Sequence, residues 1–207
     1  MVKAAKDAAT GGADMIGKVV KAGDAAAKGG DATSVNGIAG GIKGIVEAAK
    51  KAGEEGKLES EAAGGDGGNE NAGKLFAAKK NDAGGDAAAA EKAAAAFSQM
   101  KKNDQIAAAK EDGEKKGVDD VKDATNPIAA AIGSTGGDKA AAAFSQMKKN
   151  DQIAAAIVLR GMAKNGEFAL KDDHAANAEK GLKSTVESAV NKTLCRGMVR
   201  RDGKSCY

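Results

Sequence analysis

The sequence predicts an all-α fold, an antiparallel helical bundle with Gly-rich variable loops at one end. Three observations carry that expectation. Apolar residues recur at helical spacing in stretch after stretch. No segment alternates apolar and polar residues with a period of two, so no strand is predicted. The stretches between are rich in Gly and polar residues, as exposed connections are. The helices expected to form the core span 34–53, 118–133, 138–164 and 173–193.

Each element has its own warrant. Residues 13–28 carry Met15, Ile16, Val19 and Val20 at helical spacing. Ser34 is the expected N-cap of a helix with Val35, Ile38, Ile42, Ile45, Val46 and Ala49 on one face. Gly37, Gly40, Gly41 and Gly44 interrupt it at up to about 1 kcal/mol each, so it should need tertiary contact. Residues 59–73 read as a loop too polar and Gly-rich to bury anything. A long helix is expected over 86–110, with Phe97, Met100 and Ile106 facing inward. Asn126 followed by Pro127 marks a helix start, with Pro at the first helical position, and Gly133 ends that helix. Residues 134–138 make a turn. The strongest pattern follows over 138–164, with Phe144, Met147, Ile153, Ile157, Val158 and Met162. In the last helix Leu182, Val186 and Val190 fall at four-residue spacing.

One segment occurs twice. Residues 92–109 and 139–156 both read KAAAAFSQMKKNDQIAAA, and their continuations differ completely. A shorter echo at 75–90 carries the same KKND. A solenoid would show a regular period with divergent copies. Identical blocks with different continuations point to rearrangement at the level of DNA, and to a chain assembled from exchangeable cassettes. Only one copy can hold a given core position; 139–156 is expected there, with 92–109 peripheral.

Composition bounds the rest. Leu, Ile, Val and Phe are scarce, aromatics are 2%, and Gly is 29 of 207 residues, about twice the roughly 7% average. A core built mostly from Ala lets helices approach closely but buries little apolar area, at about 25 cal/mol per Å². The net charge of +3 is made of interspersed signs. With neither a basic stripe nor interleaved aromatics, nucleic-acid binding is not expected. No apolar run approaches the roughly 20 residues of a membrane span. The N-terminal MVKAAKDAATGGAD has no apolar signal region and no cysteine to lipidate.

The motifs argue against chemistry. Gly68 to Lys74 matches GxxxxGK, but Leu75 stands where a phosphate loop needs Ser or Thr for Mg²⁺, and no strand precedes it. It reads as a surface loop. His174, the sole histidine, has Asp172 and Asp173 beside it but no further ligand in reach, so a metal site is not expected. No nucleophile motif or cofactor site is present, and the chain is not expected to be an enzyme. Phe144, Met147, Ile153, Ile157 and Met162 form a stripe that could serve as a partner-binding face, but as the largest apolar groups of the chain they are expected to pack as core. Arg160, between Leu159 and Gly161 in that apolar stretch, needs carboxylate or carbonyl partners if buried. It is expected to clamp a neighbouring helix. Cys195, Cys206, Tyr207 and three of the four arginines crowd the last thirteen residues, so 194–207 reads as an atypical tail.

The run from Asn126, NPIAAAIGSTGGDKAAAAFSQMKKNDQIAAAIVLRGMAKNGEFALKDDH, with VNGIAGGIKGIVEAAKKAG upstream, strongly resembles the variable large proteins of Borrelia spirochaetes. These belong to the variable major protein group and are close relatives of the Vls surface antigens. The block at 147–171, MKKNDQIAAAIVLRGMAKNGEFALK, is the most specific part. The resemblance implies a lipoprotein anchored in the outer membrane and exposed at the cell surface. One expressed copy is replaced from silent ones, changing what host antibodies meet. It further implies a mostly helical fold with paired membrane-proximal ends and distal variable loops, in which the MKKNDQ block is a largely buried framework helix.

On that basis residues 1–193 are expected to form one antigen domain, with 59–125 as its variable, partly duplicated region. Three departures from the family pattern are the missing leader and lipidated cysteine, the duplicated segment and the tail. They suggest a silent or truncated copy. The competing reading is an adhesin on the same scaffold, using Lys101, Lys102, Lys148 and Lys149 to bind a glycosaminoglycan. A homodimer is left open by the sequence.

Overall fold

The structure, a computed structural model, describes residues 18–21, 27–51, 69–77, 89, 92, 110, 115–134 and 139–170. The helix expected at 173–193, the inward residues Phe97, Met100 and Ile106 of 86–110, and the tail lie outside the described residues. In chain order the elements are β1 (Lys18–Lys21), α1 (Ala32–Lys51), a 3-10 turn at Glu70–Phe76, a second at Val121–Asp123, α2 (Pro127–Ile132), α3 (Asn150–Met162) and β2 (Glu167–Leu170). The described chain is rich in helix and has little strand.

Helix α3 is central because its sequence leaves it no polar face. Eleven of its thirteen residues are buried, as befits a helix that is apolar nearly all round. Ile153, Ala154, Ala156, Ile157 and Val158 join a cluster with Leu75, Phe76, Val121, Phe144, Met147 and Phe168. Ala155 and Leu159 join a second cluster with Val35, Ile38, Ile42, Ile128 and Ile132, from α1 and α2. Ala129, Ala130 and Ala131 on α2 are all buried, so small side chains let α2 lie close on α3. Each large side chain buried this way contributes roughly 1.5–3 kcal/mol, and an Ala far less. Stability therefore rests on the few Ile, Leu, Phe and Met residues.

Helix ends follow local chemistry. The Asn126 side chain accepts from the Ala129 amide at 2.9 Å, Pro127 takes the first turn, and Gly133 closes the helix at φ +86°. This is the start and stop the sequence predicts. At α1 the cap is Asp31 rather than Ser34. The Asp31 carboxylate accepts from the Ser34 amide at 2.9 Å, and its carbonyl accepts from Val35 at 2.9 Å. Ser34, one turn in, instead accepts from the Lys164 amide at 3.0 Å and joins α1 to the end of α3.

Three further expectations are corrected. Residues 18–21 form a strand, with Lys18 opposite Glu167, Val19 opposite Phe168, Val20 opposite Ala169 and Lys21 opposite Leu170 in a parallel pair. Four residues are too few to show alternation, and the partner lies far away in sequence, so no local pattern reveals the pair. It also qualifies the all-α expectation. Of the stretches expected as loop, 59–73 and the GxxxxGK match at 68–74, the described residues from 69 on are not a surface loop, because Asn69, Ala72 and Gly73 are buried and Leu75 and Phe76 follow them into the core. A side chain at Gly73 would come within 2.7 Å of the Phe144 nitrogen and 2.8 Å of the Ala142 oxygen, so the motif glycine serves close backbone approach. Finally, the helix expected over 138–164 begins only at Asn150. Before it, the Phe144 amide donates to the Glu70 carbonyl at 2.9 Å and the Ser145 amide to the Lys122 carbonyl at 2.8 Å. Those bonds to distant segments take the place of helical ones.

Candidate functional site

The sequence marks two sets of residues, a buried framework around Arg160 and a group of lysines. Of the framework residues, Phe144, Met147, Ile153 and Ile157 are at most 1% exposed. Met162 is half-buried and packs against both clusters. Phe144 and Met147 reach the core from the extended segment before α3, not from a helix as expected.

Arg160 is 1% exposed. Its Nε donates to the Glu167 carbonyl at 2.8 Å and its Nη2 to the Lys28 carbonyl at 3.0 Å. Both acceptors lie outside helices, on β2 and on the extended lead into α1, so the expectation of a clamp onto a helix is corrected. The guanidinium carbon lies 4.8 Å from the Phe76 ring centre and 5.9 Å from that of Phe168. Phe76 meets Phe144 and Phe168 edge-on at 5.3 and 5.7 Å. Three of the chain's four phenylalanines thus gather beside the only arginine outside the tail.

The Lys28–Glu167 contact is doubled. The Glu167 amide donates to the Lys28 carbonyl at 2.9 Å, and the Lys28 amide to the Glu167 carboxylate at 3.0 Å. Burial pulls the Arg160 pKa down to about 9 against the opposing pull of Glu167, which leaves the side chain charged at neutral pH. Its Nη1 is buried without an acceptor among the described residues, part of the desolvation cost that carbonyl partners only partly offset.

Polar pins missed by the sequence reading hold other segments. The Asn36 carboxamide donates to the Ala32 and Lys115 carbonyls at 2.9 Å each, and accepts from the Lys115 amide at 3.1 Å. It docks residues near 115 onto α1. The Asn69 carboxamide donates to that of Asn150, tying the first 3-10 turn to the start of α3. Asn36 lies off the apolar face of α1, on the side of Lys43 and Glu47, so neither its burial nor the Asn69–Asn150 pairing had a signal in the sequence.

The lysines do not gather into a described patch. Lys148 is exposed, with its ammonium 3.6 Å from the Glu70 carboxylate. Lys149 is half-buried, and Lys101 and Lys102 lie outside the described residues. Among the described residues no group of three or more His, Cys, Asp or Glu could hold a metal ion. No described helix is long and apolar enough to cross a membrane.

The fold has a known counterpart. It matches the crystal structure of the Lyme disease variable surface antigen VlsE of Borrelia burgdorferi with a TM-score of 0.78 and 46% sequence identity. The match covers 95% of this chain and 65% of that one, so the chain spans somewhat less than two thirds of VlsE. No curated protein matches. The Borrelia lipoprotein family matches residues 1–199, a span that contains every described residue and with them the Arg160 framework, and the chain belongs to that family.

Proposed function

We propose that this chain is an antigenically variable outer-surface lipoprotein, serving evasion of the host immune response by exchange of sequence between gene copies. The observation that carries the reading is its 46% identity over 95% of its length to a variable surface antigen. The exact duplication of 92–109 and 139–156 supports it independently, as the trace of cassette exchange. Function on this reading is division of labour. The α3 block and its Arg160 staple form a constant frame, and the Gly-rich region within 59–125 supplies the changing surface. Residues 1–193 then act as one domain, arranged as a helical bundle with variable loops at its distal end, and 194–207 as a tail outside it. Host antibodies are the partners, and the outer membrane, reached by a lipid anchor, is the location. No step of this function calls for catalysis.

The test is protease shaving of intact cells, probed with an antibody to residues 59–85. Loss of signal without lysis supports display at the surface. A protein that is present but protected overturns display. Transcript or protein absent from the cell would mark this copy as a silent donor of variation.

A further inference from the structure

The chain contains two Asn–Gly steps, Asn36–Gly37 and Asn165–Gly166. This dipeptide is the one most prone to spontaneous deamidation, because a residue without a side chain leaves its amide nitrogen open to approach the preceding carboxamide. The fold treats the two steps in opposite ways. We propose that Asn165 is a deamidation site of the folded protein and that Asn36 is protected. The inference does not depend on the antigen reading.

Asn36 lies inside α1, where the Gly37 amide belongs to the helix. Its carboxamide, which must depart as ammonia, is part-buried and donates to two carbonyls, those of Ala32 and Lys115. Its oxygen accepts from Lys115 and from the Lys110 ammonium at 3.4 Å. Reaction there requires unwinding the helix and releasing the segment near 115.

Asn165 sits in the turn between α3 and β2, exposed, at φ +65°. Asn tolerates this left-handed conformation better than most residues. Its side chain makes no hydrogen bond among the described residues. Gly166 cannot be replaced to remove the hazard, since a Cβ there would lie 1.8 Å from the Arg160 carbonyl oxygen. The glycine of the reactive dipeptide is therefore imposed by close packing against the Arg160 backbone at the end of α3. Gly166 itself is buried, but among the described residues the hydrogen bond that holds the attacking nitrogen, to the Ala163 carbonyl, is a long 3.2 Å.

The chemistry needs only water. The Gly166 nitrogen gives up its proton and attacks Asn165 Cγ. The new N–Cγ bond closes a succinimide, and the Cγ–Nδ2 bond breaks to release ammonia, which carries away the proton. Water then opens either carbonyl of the ring, yielding Asp or isoaspartate. No electrons are transferred. The isoaspartate product adds a methylene to the backbone between two anchors. These are Lys164, whose carbonyl accepts from Asp31 at 2.8 Å, and Glu167, whose amide donates to Lys28 at 2.9 Å. That form should lose the register of β2, whereas the Asp form keeps it.

The native protein is incubated in mildly alkaline buffer, quenched in acid and digested with trypsin. Cleavage gives residues 165–171 and 29–43 as separate peptides. The expected result is a one-dalton gain with an isoaspartate species in 165–171, at least an order of magnitude faster than in 29–43. In urea the two rates should converge. Equal rates in the native protein would overturn the proposal, as would a 165–171 peptide that reacts only in urea. The Asn165→Gly variant, which accepts the same φ, should fold with an unchanged melting temperature and abolish the native mass gain. Persistence of the gain in that variant would also overturn it.

Discussion

The two halves of the repeated segment's second copy fold differently. Residues 139–149 read KAAAAFSQMKK and residues 150–156 read NDQIAAA; both halves carry runs of the best helix-forming residue. The first half runs extended and bent, and the second begins α3. In the first half, Phe144 and Ser145 give their amides to Glu70 and Lys122, and Lys139 pairs with Asp119 at 2.8 Å. In the second, Ile153, Ala154 and Ala156 enter one core cluster and Ala155 the other. Ala propensity amounts to less than about 1 kcal/mol per residue. Burying Phe144 and Met147 in a preformed slot outweighs it. Local preference decides only where tertiary contact is indifferent.

The largest break in this comparison should come from the helical half. Ile153 is fully buried, so Ile153→Asp should cost roughly 3–5 kcal/mol through a buried, unpaired carboxylate. The same change at Ile106, its counterpart in the first copy, should cost far less if that copy is peripheral. Urea melts of both variants measure the difference, and equal losses would sink the assignment. A smaller effect should follow from blocking the slot of the extended half. Gly73→Ala places a methyl against the Phe144 and Ala142 backbone and should cost about 2 kcal/mol by overpacking. Thermal melts would check it, and an unchanged midpoint would mean that the 69–77 turn does not hold residues 142–144.

The smallest effect is electrostatic, beside the Ser145 anchor. Burial raises the Asp120 pKa, but the Lys122 ammonium at 2.9 Å and the Lys122 amide at 3.1 Å outweigh it, with Lys139 adding to the pull. The folded carboxyl therefore titrates below its ordinary value of 3.8. Its contribution is fully present above the unfolded pKa and is lost as pH falls through the lower folded one. Being near the surface, it should be worth only a few tenths of a kcal/mol. Asp120→Asn should flatten the acid limb of the stability profile below about pH 4, leaving the neutral midpoint lower by that small amount. An acid limb identical to that of the parent chain would remove Asp120 from the account.

What could be read in advance was local. Asn126, Pro127 and Gly133 mark both ends of α2 because a cap, a fixed φ and a helix stop are properties of neighbouring residues. The burial of α3 was legible too, because its apolar residues recur on every side. The need of Arg160 for carbonyl partners followed from its charge in an apolar run. Family membership was legible from residues 147–171, since so specific a block is its own signature. Other features were not legible. The pairing of β1 with β2 joins residues almost 150 positions apart, and each strand is too short to carry a period. The identity of the carbonyls on Arg160, the burial of the 69–77 turn and the unwound start of the second copy all depend on which segments meet. Sequence determines the preferences of each short stretch. Only the tertiary structure decides which of them hold, because a packed side chain is worth more than the small differences in backbone preference it overrides.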